Sequence, residues 1–176
     1  SGPSNTACAT SEGEPGLPGD INGDGSTNVQ DLILVVNMIL GTIEPDYSLA
    51  DLNNDGTINI QDIILLVNMI LSGRVSQSDE NIGTKVKIYQ DDTSVYISSD
   101  GKIGGVQMTL QHDADFTIDL TDKAMLAEYR TVGNETILII VAPESEKLFS
   151  CTGDYIIVSL TAANILSDVM ETEFTD

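Results

Sequence analysis

An internal repeat constrains the fold of this chain more than any other feature. Residues 20–41 (DINGDGSTNVQDLILVVNMILG) align with residues 51–72 (DLNNDGTINIQDIILLVNMILS) at a period of 31 residues, with 14 identities in 22 positions. Each copy consists of a segment rich in Asp, Asn and Gly followed by an apolar segment of helical length. Such a repeat indicates one supersecondary unit used twice, in which each copy buries the apolar face of the other.

Each copy begins with a twelve-residue loop that has oxygen-bearing side chains at positions one, three, five, nine and twelve and glycine at position six. Calcium takes about six to eight oxygen ligands, and this spacing wraps a loop once around such an ion. Glycine suits position six because the chain reverses sharply there. Turn formation alone is an alternative explanation for one such loop, but two loops in the same register predict two calcium ions. The predicted ligands are Asp20, Asn22, Asp24, Ser26, Asn28 and Asp31 in the first loop, and Asp51, Asn53, Asp55, Thr57, Asn59 and Asp62 in the second.

The pattern changes after residue 72 from helical to extended. Residues 73–80 are typical of a polar linker, and β-branched alternating runs follow, separated by turn signals such as Asp100-Gly101. Short strands at this spacing predict an antiparallel β-sandwich. Residues 121–129 fit either a helical turn or a strand. The predicted strands are 84–90, 93–99, 104–111, 135–141 and 154–163.

The chain is therefore predicted to be an α+β protein made of a repeat pair and a β-sandwich. Residues 1–18 are small, polar and rich in Pro and Gly, which predicts a flexible leader. The predicted units are 1–18 as leader, 19–72 as calcium-binding module, 73–80 as linker and 81–176 as sandwich.

The two predicted helices are apolar on all sides. Residues 32–40 and 63–71 contain one polar residue each, Asn37 and Asn68. A helix of this kind is buried on more than one side, and the other repeat covers only one of them. We therefore expect the outer faces of both helices to dock onto a β-sandwich, in the same chain or in a neighbour.

Composition and charge exclude several functions. The formal charge of −21, from 28 acidic and 7 basic residues, argues against nucleic acid as a partner. The longest apolar runs have five or six residues, far fewer than the ~20 that cross a membrane. His112, the single histidine, has no nucleophile near it in sequence and is predicted to be an exposed loop residue, so no catalysis is expected. Cys8 and Cys151 are too few for a zinc site but suit one disulfide in an exported protein.

The paired loop–helix repeats resemble type I dockerins, in which two calcium loops each lead into a helix and the entering helix of an EF-hand is missing. The resemblance covers residues 19–72, including the segment PDYSLADLNNDG before the second loop. It implies calcium-dependent binding to a cohesin-like β-sandwich, at the cell surface or outside the cell, often in polysaccharide-degrading assemblies. The partner contacts that it implies are Val29, Gln30, Val36, Asn37, Ile60, Gln61, Val67 and Asn68.

A looser resemblance links residues 84–176 to cohesin-like sandwiches, through GGVQMTLQHD, ETILIIVAP and GDYIIVSLTAANI. The segment is shorter than a full cohesin, so an incomplete sandwich, or one finished by another chain, is an open alternative. The sandwich partner of the repeats can then lie in cis or in trans, and self-association is open as well.

The sequence thus predicts a non-catalytic, calcium-dependent assembly module. It is expected to form the C-terminal part of a secreted or cell-surface protein involved in polysaccharide degradation or surface attachment. One alternative is a structural role, in which the repeats pack in cis on their own sandwich as a stabilising cap. Another is a carbohydrate-binding accessory module, although the chain has no Trp and only eight Phe and Tyr residues together.

Overall fold

The computed structural model describes residues 16–71 and 81–175. Two matched helices, α1 (Val29–Ile39) and α3 (Ile60–Ile70), form the repeat pair, with a short helix α2 (Tyr47–Ala50) between them. Asn28 caps α1 by accepting a hydrogen bond from the backbone N–H of Gln30, and Asp31 completes a capping box. The same arrangement starts α3 at Asn59. Each helix therefore begins within the last three positions of its loop, because one set of Asn and Asp side chains serves both.

Nine strands in the described residues form a sandwich of two sheets. A five-stranded sheet has the order β4-β7-β2-β1-β9 and a four-stranded sheet the order β5-β6-β3-β8. The pairings are antiparallel except that β9 runs parallel to β1. The strands are β1 (Lys85–Gln90), β2 (Ser94–Ser99), β3 (Ile103–His112), β4 (Thr117–Leu120), β5 (Ala124–Val132), β6 (Glu135–Pro143), β7 (Lys147–Thr152), β8 (Tyr155–Asn164) and β9 (Glu171–Phe174).

These elements confirm the predicted α+β class and settle two open points. The ambiguous residues 121–129 fall mostly in β5, a strand. The chain's own last strand, β9, completes the five-stranded sheet by pairing with β1, so the sandwich needs no strand from another chain. Three short strands, β4, β7 and β9, and the helix α2 lie outside the predicted elements.

Two apolar clusters hold the molecule together. One fills the space between the two sheets, with Phe149 and Met108 fully buried. The other lies between the helices and the outer face of the four-stranded sheet, and it joins residues of α1 and α3 to Ile139, Val141 and Ala163. The repeat pair is thus packed on its own sandwich, and the second cluster is the contact between the two parts.

The predicted leader and linker lie largely outside the described residues, as does Cys8. Cys151 is buried on β7, at 8% exposure, where burial raises the pKa of its thiol. The disulfide between Cys8 and Cys151 therefore stays a prediction.

Within 16–71 and 81–175, no helix combines the length and the apolar character that a membrane crossing needs.

The turn after β2 is held by one carboxylate. Asp100 accepts hydrogen bonds from the backbone N–H groups of Thr84 and Lys85, at 2.7 and 2.9 Å, and from the Thr84 hydroxyl at 2.5 Å. These hydrogen bonds lower the pKa of Asp100 to about 2, and the bond from the Thr84 hydroxyl has the largest effect. Because the ionised form is favoured in the folded state, its contribution to stability is present above pH 3.8 and is lost as the pH falls toward 2.

An Asp100→Asn substitution is therefore expected to destabilise the chain at neutral pH and to have a much smaller effect near pH 2. Asparagine retains one acceptor oxygen, but it cannot accept from both the backbone and the hydroxyl as the carboxylate does. Urea unfolding at several pH values would measure the difference between the variant and the unsubstituted chain. Asp92→Asn, at an exposed residue, is the control. A loss that did not change with pH would contradict this role.

Candidate calcium loops and docking surface

The first loop closes around the carboxylate of Asp20, which is 4% exposed. Its two oxygens accept hydrogen bonds from the backbone N–H groups of Asp24 and Gly25, at 3.1 and 2.8 Å. Gly25 has φ of +87°, a left-handed conformation that glycine adopts without a Cβ penalty. The glycine at loop position six therefore makes the sharp reversal that the sequence predicted.

The carboxylate at position twelve ties the end of the first loop back to its beginning. One oxygen of Asp31 accepts from the backbone N–H of Ile21 at 2.8 Å and of Asn22 at 3.1 Å, and the other from Asn28 at 2.9 Å. Asp31 is fully buried. Positions two, three, nine and twelve of the loop are thus joined by hydrogen bonds within one short segment.

The second loop repeats this network. Asp51 accepts from the N–H groups of Asp55 and Gly56 at 3.2 and 2.9 Å. Asp62 accepts from Leu52 at 2.8 Å and from Asn59 at 2.9 Å. The structure therefore brings together, in each loop, the side chains that the sequence predicted as ligands. Their role as calcium ligands stays a prediction.

The chemistry of these loops fits a hard divalent cation. Each loop contains three Asp residues and no Lys or Arg. The buried carboxylates of Asp31 and Asp62 accept hydrogen bonds from backbone N–H groups. Within the described ranges, no group of three or more His, Cys, Asp or Glu side chains is placed so that it could hold a metal ion by itself. Amide and carbonyl oxygens would have to complete the ligand set, as calcium accepts and zinc does not.

Burial of the position-twelve carboxylate has a cost that a cation would offset. Burial raises the pKa of Asp62, and the negative charge of Asp51 adds to this, while the N–H groups of Asn59, Asn53 and Leu52 act in the opposite direction. A buried carboxylate needs hydrogen bonds or a positive charge. The N–H groups of the loop supply the first, and no residue of the loop supplies the second.

One helix of the pair, α3, docks on the four-stranded sheet. Ile60 and Ile64, at 0% and 3% exposure, lie over Gly105 and Gly104 of β3. A Cβ on Gly105 would come within 2.5 Å of the Ile60 Cδ1, and one on Gly104 within 2.8 Å of the Ile64 Cδ1. The glycine pair therefore provides the space into which the two isoleucines fit.

Polar contacts fix this docking at both ends of α3. The backbone N–H of Ile60, which no carbonyl within the helix can reach, donates to the Gln107 side chain at 3.0 Å. The Gln61 amide donates to the Ser167 carbonyl at 2.7 Å, and the Asn68 amide to the Ile165 carbonyl at 3.0 Å. Asn68, the polar residue of the apolar segment 63–71, thus lies on the docked face and bonds to the sandwich.

The corresponding face of α1 does not dock in this chain. Val29 and Ile33, which align with Ile60 and Ile64, are 56% and 47% exposed. The inner face of α1 is covered, since Leu32 and Val35 are both 1% exposed. The prediction that the outer faces of both helices dock is therefore correct for α3 and wrong for α1 within this chain.

The eight residues predicted as partner contacts divide in the same way. In α3, Ile60 and Val67 are buried, while Gln61 and Asn68 bond to the β8–β9 loop. In α1, Val36 is buried and Asn37 is half-buried, and Val29 and Gln30 are exposed. That these residues contact another protein stays a prediction.

His112 is not the exposed loop residue that the sequence predicted. It ends β3, is 7% exposed and stacks on Phe116, with ring centroids 4.2 Å apart. Its Nδ1 lies 2.9 Å from the Asp113 carbonyl and its Nε2 2.8 Å from the Thr136 hydroxyl. Both ring nitrogens therefore have partners, as in a structural histidine.

Sequence reasoning missed four of the sandwich residues that contact the repeats, namely Gly104, Gly105, Gln107 and Arg130. Arg130 on β5 donates to the carbonyls of Leu40 and Gly41 at the end of α1, at 3.0 and 2.5 Å. The sequence did signal the glycine pair, because glycine inside a strand often marks a close approach.

Residues 18–71 match the family model described as the dockerin type I domain, which confirms the resemblance for that segment. No curated protein matches the chain.

Three similar solved structures contain cohesins. A non-cellulosomal cohesin from Archaeoglobus fulgidus is 13% identical, with 52% of this chain and 86% of that chain covered and a TM-score of 0.39. A type I cohesin–dockerin complex (Coh-OlpC-Doc435) from Clostridium thermocellum is 9% identical, with coverages of 58% and 94% and a TM-score of 0.37. A cohesin module of a family 33 glycoside hydrolase from Clostridium perfringens is 7% identical, with coverages of 54% and 99% and a TM-score of 0.31.

Proposed function

We propose that this chain is a non-catalytic, calcium-dependent protein assembly module whose repeat pair binds a β-sandwich sheet. The docking of α3 on the outer face of the four-stranded sheet carries this proposal, because it pairs a dockerin-type segment with a sandwich surface shaped to receive it. The working units are 19–72 and 81–176, joined by the linker 73–80 and preceded by the leader 1–18.

Calcium would act by organising the loops that set the start of each helix. In each repeat, the residue at position nine caps the helix and the residue at position twelve closes the capping box. Two ions are proposed, held by Asp20, Asn22, Asp24, Ser26, Asn28 and Asp31, and by Asp51, Asn53, Asp55, Thr57, Asn59 and Asp62. Bound ions would neutralise loop carboxylates and so connect metal binding to helix position and docking.

Isothermal titration calorimetry with calcium is expected to show two sites in the full chain. Asp31→Ala and Asp62→Ala are each expected to remove about one site, because each deletes the carboxylate that ties its loop together. Glu44→Gln, an exposed acid outside both loops, is the control and should keep two sites. No calcium-dependent heat in the unsubstituted chain would overturn the proposal.

The docked arrangement also favours the second candidate function, a stabilising cap in cis. The Gln61 and Asn68 amides donate to carbonyls of the same chain, and α3 buries its isoleucines there. Under this alternative the chain stays monomeric in calcium and captures no added sandwich. Under the assembly function, the chain binds a second β-sandwich domain in calcium. Analytical ultracentrifugation of the full chain, alone and with an added cohesin domain, separates the two.

An extracellular or cell-surface location belongs to the same proposal, as does a role in polysaccharide degradation or surface attachment. Both follow from what the resemblance of residues 18–71 to dockerins implies. The acidic charge of the chain and its calcium loops suit an environment in which calcium is abundant.

A further inference from the structure

The two repeats offer almost the same face to the sandwich, yet only one is docked. At the five positions along the docked face, four residues are identical between the helices and the fifth differs by one methylene. The aligned pairs are Ile60 and Val29, Gln61 and Gln30, Ile64 and Ile33, Val67 and Val36, and Asn68 and Asn37. The contacts of α3 with the sheet therefore discriminate weakly between the two ways of docking the pair.

The end of α1 breaks this symmetry. Its last turn contains no basic residue, and neither does that of α3. The carbonyls of Val36, Asn37 and Met38 accept hydrogen bonds from the chain's own N–H groups, so outside donors are left for the carbonyls that follow, those of Leu40 and Gly41. Arg130 of β5 supplies them for α1, with Nη1 3.0 Å from the Leu40 oxygen and 2.5 Å from the Gly41 oxygen. A cation at this end also interacts favourably with the helix dipole.

Gly41 allows the guanidinium to approach. It has φ of +73°, and a Cβ at this position would lie 3.2 Å from Arg130 Nη1. The aligned residue of the second repeat is Ser72. If the pair turned over so that α1 lay on Gly104 and Gly105, a serine would have to take the place of Gly41. It would then carry its Cβ in a left-handed conformation that costs energy for residues other than glycine.

The electrostatic setting makes this contact selective. Residues 18–71 contain eight acidic residues and no Lys, Arg or His, so the repeat pair has no cation of its own. Arg130 brings one to it from the sandwich, at the end of α1. Charge-assisted hydrogen bonds are stronger than neutral ones, which suits this contact to the choice between two otherwise similar arrangements.

We propose that Arg130 and Gly41 select the orientation in which the repeat pair docks, so that α3 lies on the sheet and the outer face of α1 remains open. This inference rests on the proposed docking function and concerns its specificity. Arg130 acts as a positioning residue that recognises the carboxyl end of one helix. Without it, the two orientations become close in free energy and both are populated.

Methyl NMR of the full chain in calcium, with labelled isoleucine, tests this directly. The unsubstituted chain is expected to show one set of signals, with cross-relaxation between the Ile64 methyl and the Gly104 Hα. Arg130→Gln and Gly41→Ser are each expected to produce a second set, in which the Ile33 methyl takes that contact. Loss of a charge-assisted hydrogen bond predicts a rise of roughly tenfold or more in the second population. Lys123→Gln removes a positive charge from an exposed residue just before β5 and should leave one set.

Each other outcome contradicts the assignment in a distinct way. One set of signals with Ile64 on Gly104 in both variants would show that Arg130 and Gly41 do not select the orientation. Folded variants in which neither isoleucine meets Gly104 would show that Arg130 is needed for docking itself. If the unsubstituted chain showed no contact of either isoleucine with Gly104, the docking function would fail along with the inference. Should Arg130→Gln not fold, Gly41→Ser alone decides.

Discussion

Chelation of calcium is expected to lower the melting temperature of this chain by about 10–20 °C. Two sites, each with calcium at about 100 times its Kd, together contribute roughly 5 kcal/mol, and 1 kcal/mol shifts the melting temperature of a chain of this size by about 2–4 °C. The effect is large because Asp31 and Asp62 are fully buried and no cation lies within either loop sequence.

Circular dichroism melts with calcium and with EGTA measure this shift. Glu44→Gln should keep the full difference, because Glu44 is exposed and lies outside both loops. Magnesium in place of calcium should restore little, since it prefers a rigid octahedral shell and retains its waters. Equal melting temperatures in calcium and in EGTA would contradict the calcium account.

Replacing the docked isoleucines is expected to cost far more stability than replacing their repeat counterparts. Ile60→Ala and Ile64→Ala should each lose about 2–5 kcal/mol, as large-to-small changes in a core do. Val29→Ala and Ile33→Ala should each lose about 0.5 kcal/mol or less, as exposed residues do. The exposures behind this contrast are 0% and 3% against 56% and 47%.

Urea unfolding in saturating calcium measures the four free energies of unfolding. The repeat supplies the matched controls, because each pair of variants lies at aligned positions of the same helix type. Equal losses in α1 and α3 would mean that the sheet does not distinguish the two faces, and the assignment of α3 as the docked helix would be wrong.

The sequence predicted the fold of the two loops and the helices well because their signals are local. Asn28 and Asn59 mark the helix starts, and Gly25 and Gly56 mark the reversals, each within a segment of twelve residues. In such a loop the hydrogen bonds join residues at most ten positions apart. A repeated spacing therefore carries nearly all the information that the local structure needs.

The short strands escaped prediction because their partners are distant in the chain. The four residues of β9 are held by parallel pairing with β1, more than 80 positions earlier. The apolar residues Leu148 and Phe149 of β7 adjoin each other, without the alternation that predicts a strand. Both β7 and β9 are strands because they pair with neighbouring strands in the sheet, and the local sequence pattern does not show that pairing.

Dependence on residues distant in the chain also explains why the predictions for His112 and for the outer face of α1 were wrong. His112 follows an alternating strand and precedes acidic turn residues, which locally resembles a loop, but antiparallel pairing of β3 with β6 brings Thr136 to its ring. The outer face of α1 has nearly the composition of the face of α3 that docks. Which face is covered depends on Gly105 and Arg130, some 60 to 100 positions away, and periodicity carries no information about that choice.

Calcium-dependent docking of the repeat pair on the sandwich is tested most directly by cutting the chain between the two parts. A specific protease site placed within residues 73–80, which the sequence predicts as linker, allows cleavage of the folded protein in calcium. Size-exclusion chromatography then asks whether the two pieces remain together. We expect them to elute as one complex in calcium and to separate in EGTA. Pieces that separate in calcium, or that stay together equally well in EGTA, would contradict the account.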